Sequence, residues 1–95
     1  MAANVRGLVA PAIAYGYKSQ QQSGGGNHMP GNTCLDGQTM IGLVRDVLRE
    51  LARHGVRRVV LVNGHYENSM FLTEGVDLVI RELGWSGIHD FRCII

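Results

Sequence analysis

Cysteine is nearly absent from this chain: Cys34 and Cys93 are the only two, far apart and in dissimilar surroundings. That excludes a disulfide framework and every short-spaced cysteine metal motif. An excess of one charge is missing as well. The formal net charge is +1, which offers no broad attraction for nucleic acid or an anionic membrane. No apolar run approaches the roughly 20 residues needed to span a bilayer, and no secretory leader is legible near Met1. The expectation is a soluble chain with free thiols in a reducing cytoplasm. Nucleophilic machinery is scarce too. Ser69 lacks the Gly-x-Ser-x-Gly elbow, and nothing around Cys34 would activate its thiol.

What remains is a folding composition. Hydrophobic residues make up 45% of the chain and charged ones 18%, which fits one small domain or part of a larger one. Arg45, Arg49, Arg53, Arg57 and Arg58 form a basic run, but Asp46 and Glu50 are interleaved with it. That pairing reads as a solvated helix face. Val5 to Ala10 reads as a first strand, ended by Pro11, which cannot donate to a ladder. Residues 11–35 show no sustained periodicity, and at about 25 residues they exceed the usual limit for a structureless connection. Tyr15, Tyr17, His28 and Met29 give this loop groups with which to pack and bind, which favours an ordered site loop over a linker.

Asp36 is placed to cap a helix over 37–54, with Ile41, Val44, Leu48 and Leu51 as its buried stripe and Val47 and Ala52 in support. Gly55 is the expected left-handed stop. Arg57 to Val62 is the second strand. Asn68 or Ser69 caps a second helix running to about Leu83, whose stripe is Leu72, Val76, Val79, Ile80 and Leu83. Gly84 ends it, and Asp90 to Ile95 is the third strand. The order β-loop-α-β-α-β implies parallel strands joined by right-handed crossovers. The fold class is α/β. Parallel strands need both faces covered, and the two helices are too few for that. Residues 1–95 are therefore expected to be a single partial domain, completed by more polypeptide or by an oligomer.

The segment Asn63-Gly-His-Tyr-Glu-Asn68 follows the apolar run Val59–Val62 directly. Ligands of open α/β sheets sit outside the carboxyl ends of the strands, so this turn is a candidate active-site edge. If it stays extended, His65 and Glu67 project to one side and Tyr66 to the other. A neutral imidazole and a carboxylate suit Zn²⁺ or Mn²⁺, though two donors do not close a site. The plain alternative is a polar turn in which Asn63 and Asn68 satisfy backbone groups and cap the following helix. Tyr66 is either a packing aromatic with a wet hydroxyl or a substrate wall. Gly64 serves a sharp turn or a close backbone approach.

The second unusual segment runs from Tyr15 to His28. Ser23-Gly-Gly-Gly-Asn27 can present backbone N–H groups to an anion or a carbonyl oxygen. It is not a P-loop, because no Lys-Ser or Lys-Thr follows, and it does not match Gly-x-Gly-x-x-Gly. His28 is a lone loop histidine that can be ligand, base or neither; Lys18 and Gln20 to Gln22 read as loop surface. His54 sits in the last helical turn, where the dipole favours a cation, and His89 in a polar turn. Neither suggests a site.

Asn63-Gly-His-Tyr-Glu-Asn-Ser-Met-Phe71 with Glu74-Gly75, and Tyr15-Gly-Tyr-Lys-Ser-Gln-Gln21 with Ser23-Gly-Gly-Gly-Asn-His28, resemble the creatininase family. The likeness continues through Leu35-Asp-Gly37, Arg49-Glu-Leu-Ala-Arg-His-Gly55 and Gly87-Ile-His-Asp-Phe91, nearly the whole chain from about residue 8. The wider family has two glycines where Tyr66 and Glu67 stand, so these residues and the Tyr-Lys-Ser-Gln-Gln loop point to its creatinine-processing branch. The resemblance implies a three-layer αβα fold with a mainly parallel sheet, of which this chain is the central portion. It implies a binuclear zinc or manganese centre whose bridging water attacks a ring amide carbon, converting creatinine reversibly to creatine. His65 would ligate one ion and Glu67 the other; Ser23 and Tyr66 would contact substrate. A homo-oligomer, a hexamer, is implied as well, with no nucleic-acid or membrane partner. The upstream Glu-x-His segment and bridging Asp of the family are not found here, nor are its downstream Trp, His and Glu. The chain alone is thus expected to be inactive. The alternatives are another cyclic-amide or formamide hydrolase of the same family, or a non-catalytic remnant.

Overall fold

The computed structural model describes residues 6–18, 30 and 33–95. The first element is the helix α1, Gly37–Arg53, and its inner face is the row Met40, Val44, Leu48 and Ala52. Spacing of four residues keeps such side chains one above another on a helix. The expected stripe is therefore right at Val44, Leu48 and Ala52 but rotated elsewhere: Met40 is buried rather than Ile41, and Val47 is exposed. The strand β1, Arg58–Val60, follows, then a single 3₁₀ turn at Tyr66–Asn68 that runs straight into the helix α2, Ser69–Trp85. Leu72, Gly75, Val76, Val79 and Leu83 form the buried face of α2, whereas Ile80 faces outward. The last element is the strand β2, Arg92–Ile94.

β1 and β2 pair in parallel, as the α2 crossover between them requires, with Arg58 opposite Arg92, Val59 opposite Cys93 and Val60 opposite Ile94. Backbone bonds from Arg92 N–H to Arg57 C=O and from Leu61 N–H to Ile94 C=O extend the ladder at both ends. Val59, Leu61 and Cys93 pack on the core that both helices share, together with Phe91. Val60 and Ile94 point the other way and are exposed. Alternation across the strands thus divides a covered face from an uncovered one.

Both helices end by the same device. Gly55 and Gly87 have φ of +96° and +88°, and no other described residue has a positive φ. In each case the glycine N–H returns to a carbonyl three residues back, Ala52 or Gly84, and the next residue's N–H to one five back, Leu51 or Leu83. This is the Schellman arrangement, which satisfies the orphan carbonyls of a helix end. Gly84 is therefore not the stop that the sequence suggests. It stays helical, and the chain turns only where a left-handed residue is needed, at Gly87.

Other expectations change as well. Asp36 stands at the N-cap of α1, but its side chain makes no capping bond; the carboxylate pairs instead with Lys18 at 3.0 Å. No strand forms over residues 6–10, where Leu8 and Val9 are exposed. A β-prone run becomes a strand only with a ladder partner, and none of the described residues supplies one there. The 11–35 connection contributes one isolated parallel bridge, Tyr17 with Leu35. β1 and β2 are each shorter than the strands expected over Arg57–Val62 and Asp90–Ile95.

Charges reinforce the helix pair. Glu82 on α2 receives Arg49 at 2.9 Å and Arg45 at 3.3 Å from α1. The Arg49 guanidinium, with Arg45 behind it, holds the Glu82 carboxyl below its ordinary range. Asp46 and Glu50 pair with Arg49 and Arg53 along α1 itself, so the basic run is partly a solvated face and partly a bridge between helices. Arg57 joins other pieces: its Nη1 donates to the Ala52 carbonyl at 2.7 Å, and its Nε meets Asp90 at 3.1 Å.

At Gly75 the backbone of α2 packs closely on α1. A Cβ there would lie 3.0 Å from Val44 Cγ1, 3.1 Å from its Cβ and 3.3 Å from the Ile41 carbonyl oxygen. Gly75→Ala gains about 1 kcal/mol of helix propensity but overpacks a rigid contact at a cost of about 1–3 kcal/mol. The steric term wins, because a Val Cβ and a backbone carbonyl cannot swing aside. The expected outcome is a net loss of about 1 kcal/mol, seen as a lower urea midpoint in the folded protein. An unchanged or higher midpoint would show that the helices have room to separate.

Candidate metal and substrate site

After β1 the chain runs through Val62 and Asn63 without regular structure and reaches His65, which is extended (φ −149°, ψ 128°) and stands before the 3₁₀ turn. The turn lies between the carboxyl end of β1 and the start of α2, as the strand-end argument anticipates. The expected extended path through Glu67 is not what forms. Tyr66–Asn68 winds into the 3₁₀ turn, so alternate projection cannot be what relates His65 to Glu67. A hydrogen bond relates them instead: the Glu67 backbone N–H donates to His65 Nδ1 at 3.2 Å. Nδ1 therefore carries the lone pair of a neutral ring and Nε2 the proton.

Tyr66 departs from expectation in the same way. Its ring lies alongside that of His65, with centroids 6.1 Å apart and planes inclined by 22°, rather than on the opposite side. Both side chains are exposed, Tyr66 to 76%. Such an exposed face can receive a flat ligand, and packing of the hydrophobic core does not involve it. Gly64 has open space around its Cβ position and no left-handed φ, so neither reason given for a glycine there applies.

Two asparagines brace the turn. Asn63 Oδ1 accepts from the His65 N–H at 3.1 Å and from Asn68 Nδ2 at 3.2 Å, and Asn63 Nδ2 donates to Ser69 Oγ at 3.1 Å. Asn68 Oδ1 accepts the backbone N–H of Tyr17 at 3.0 Å. Both residues thus satisfy backbone groups, as the polar-turn reading holds, but Asn68 makes no side-chain cap for α2. It reaches a segment 51 residues away. An Asn in a turn signals a local bond in sequence; no signal marks a partner that distant.

The Tyr15–Lys18 stretch is held by more than Asn68. Leu35 N–H donates to the Gly16 carbonyl at 2.7 Å, and Lys18 N–H to the Leu35 carbonyl at 3.1 Å. The Tyr17 ring packs on Phe71 of α2 with centroids 4.2 Å apart. Ser23, the glycines 24–26 and His28 lie outside the described residues. Cys34 and Cys93 are free, half-buried thiols, and burial pushes the Cys93 thiol up, away from nucleophilic use. No helix among the described residues is long and apolar enough to cross a membrane.

His65 and Glu67 are chemically suited to a borderline divalent ion such as zinc or manganese. Among the described residues, no group of three or more His, Cys, Asp or Glu side chains comes together to hold one. The turn fits part of a metal site and needs further donors.

Comparison with known proteins bears on what such a site serves. The family model for creatininase, creatinine amidohydrolase, matches residues 1–93. The creatinine amidohydrolase of Pseudomonas putida is 61% identical over 95 residues, all of this chain and 36% of that protein. The chain thus spans little more than a third of the curated relative it matches. A manganese form of creatininase superposes with a TM-score of 0.91 at 61% identity, covering 99% of this chain and 37% of that one. A creatininase mutant, solved as a zinc–zinc type and in complex with creatine, superposes with a TM-score of 0.92 at 60% identity and the same coverage. Its α/β fold is the one these elements belong to. A match across residues 1–93, joined to identity of this level along the whole chain, places the protein in the creatininase family.

Proposed function

We propose that the full-length protein containing this chain hydrolyses creatinine to creatine with a binuclear zinc or manganese centre, and that the Asn63–Asn68 turn forms part of it. The observation that carries this reading is the turn itself: an imidazole and a carboxylate at the carboxyl end of β1, in a chain 61% identical to a creatinine amidohydrolase. Residues 1–95 are then the central portion of a longer creatininase-like α/β domain, working as a homo-oligomer in the cytoplasm.

His65 and Glu67 are the proposed ligands, one to each ion. To offer a lone pair to an ion, His65 must give up the Glu67 N–H bond, either by freeing Nδ1 itself or by moving its proton there so that Nε2 can bind. When bound, the ions supply Lewis acidity, lowering the pKa of a water and polarising the amide carbonyl. Hydrolysis adds the hydroxyl of water to the ring carbonyl carbon and breaks the ring C–N bond, and the departing nitrogen takes the proton. No side-chain nucleophile is required, which agrees with the two thiols and Ser69 having no activating partner among the described residues. Tyr66 offers an exposed aromatic face beside the ligand pair, suited to a planar heterocycle. Ser23 supplies a hydroxyl contact to the substrate. A formamide substrate is the second reading within the family; Tyr66 and Glu67, which replace two glycines of the wider family, favour creatinine.

Three outcomes follow in the full-length protein and in the isolated chain. His65→Ala and Glu67→Ala are each expected to lower metal content and cut creatinine turnover by more than about 100-fold, because loss of a mere outer-shell partner already costs 10–100-fold. Elemental analysis beside a creatine-formation assay decides; full occupancy with normal turnover in both variants removes them from the ligand set. Tyr66→Ala is expected to raise KM for creatinine about three- to tenfold with metal retained, the scale of one aromatic contact. An unchanged kcat/KM would return Tyr66 to a surface role. The 95-residue chain by itself is expected to bind these metals weakly and to show no hydrolysis, since even a single catalytic zinc takes three protein ligands. Calorimetric titration showing two tightly bound ions would contradict this.

A further inference from the structure

We propose that Asn63 is a positioning residue for the His65 ligand: its carboxamide closes the strand-to-helix turn on itself and holds the His65 backbone in the conformation that presents the imidazole. This rests on reading that turn as a metal edge.

One side chain reaches three points of the turn. Asn63 Oδ1 accepts the His65 N–H at 3.1 Å and Asn68 Nδ2 at 3.2 Å, while its Nδ2 donates to Ser69 Oγ at 3.1 Å. Orientation is fixed by chemistry, because a backbone N–H can only donate. The oxygen of Asn63 must face His65, which leaves its nitrogen for Ser69. The first bond spans two residues, the local reach of an Asn side chain. The other two span five and six, across the 3₁₀ turn to the start of α2. His65 and Glu67 both lie inside the loop that these bonds close. His65 is pinned from its other side as well, since its carbonyl accepts the Asn68 N–H at 3.0 Å. With both backbone groups engaged, the residue is held extended at φ −149° and ψ 128°.

Exposure separates the brace from what it presents. Asn63, Asn68 and Ser69 are half-buried, whereas His65 is exposed. Among the described residues, the hydrophobic core takes in none of residues 63–69, so the brace serves the turn and not the packing beneath it. The bond to the His65 N–H is itself exposed, and water replaces Asn63 there at little cost to the fold. Water does not hold the backbone angle. Without the carboxamide, His65 sits on a turn tied down at fewer points and must be ordered as an ion binds, which weakens binding. A ligand is effective only when its supporting contacts hold it near the productive geometry. Loss of Asn63 therefore falls on metal affinity more than on stability.

The test measures zinc affinity of the full-length protein by competition with a chelating indicator, beside hydrogen exchange at the His65 amide in the metal-free form. Asn63→Ala is expected to weaken zinc binding about tenfold, the lower end for losing a partner of a metal ligand. Exchange at His65 should quicken, while the melting temperature of the metal-free protein stays near that of the wild type. Asn63→Asp should restore both affinity and slow exchange, because a carboxylate accepts from the His65 N–H, from Asn68 Nδ2 and from the Ser69 hydroxyl. Its charge also attracts a cation, so Asn63→Ser is the neutral control. A serine hydroxyl accepts an N–H two residues on, and this variant should recover part of both effects. The proposal is overturned if Asn63→Ala binds zinc as the wild type does while His65→Ala loses it. It is equally overturned if affinity and metal-free melting temperature fall together in Asn63→Ala and neither replacement restores them. His65→Ala with wild-type zinc affinity would instead sink the reading of the turn as a metal edge, and His65 exchange in Asn63→Ala would still decide whether the brace exists.

Discussion

Where Gly75 passes Val44, α1 and α2 come close enough to share one apolar seam, and the remaining elements take their places from that contact. Leu48 and Val79 are the largest fully buried side chains along it, each contributing about 1.5–3 kcal/mol relative to exposure. The strand pair rests on the seam through Val59 and Cys93. Because β1 leads through the 3₁₀ turn into α2, fixing α2 against α1 also fixes the direction in which His65 and Glu67 leave the strand. The helix contact is remote from any chemistry, yet the turn has no other rigid support of comparable extent among the described residues.

The turn then solves a problem of polar groups rather than of packing. A strand that stops and winds at once into a helix leaves backbone N–H groups without ladder or helical partners. Here Asn63 takes the His65 N–H, the His65 ring takes the Glu67 N–H, and the His65 carbonyl takes the Asn68 N–H. Side chains suited to ligation are thereby also part of the backbone's own hydrogen bonding. An imidazole held this way has a defined tautomer, with Nδ1 as the acceptor.

One charge cluster bridges the two helices. Glu82 receives two guanidinium groups from α1, and its lowered pKa means that this contribution is present above the ordinary carboxylate range and is lost as acid protonates it. The groups are partly exposed, so the bridge adds orientation more than stability. On the outer side of the strand pair, Val60, Val62 and Ile94 stay exposed. This fits a chain that spans little more than a third of its curated relative, in a fold class whose parallel sheets are covered on both faces.

Much of this was legible in the residues. The i, i+4 apolar rows fixed two helices, Gly55 marked a true left-handed stop, and the run Val59–Val62 before Asn63-Gly-His-Tyr-Glu-Asn68 located the candidate site at a strand end. Motif chemistry named His65 and Glu67 as donors, because imidazole and carboxylate retain their character in any conformation. What the sequence misjudged depended on partners distant along the chain. Val5 to Ala10 is β-prone, but the part of it that is described finds no ladder; Asp36 is a capping residue by type, but Lys18 claims its carboxylate. Gly84 reads as the stop of α2, but the left-handed residue that closes the helix is Gly87. The turn at His65 was expected to be extended because strands alternate. The 3₁₀ winding follows from the Glu67 N–H finding the His65 ring and from α2 beginning at once. The link from Asn68 to Tyr17 belongs wholly to tertiary structure: periodicity reports which face a residue occupies, but only packing decides which remote backbone arrives there.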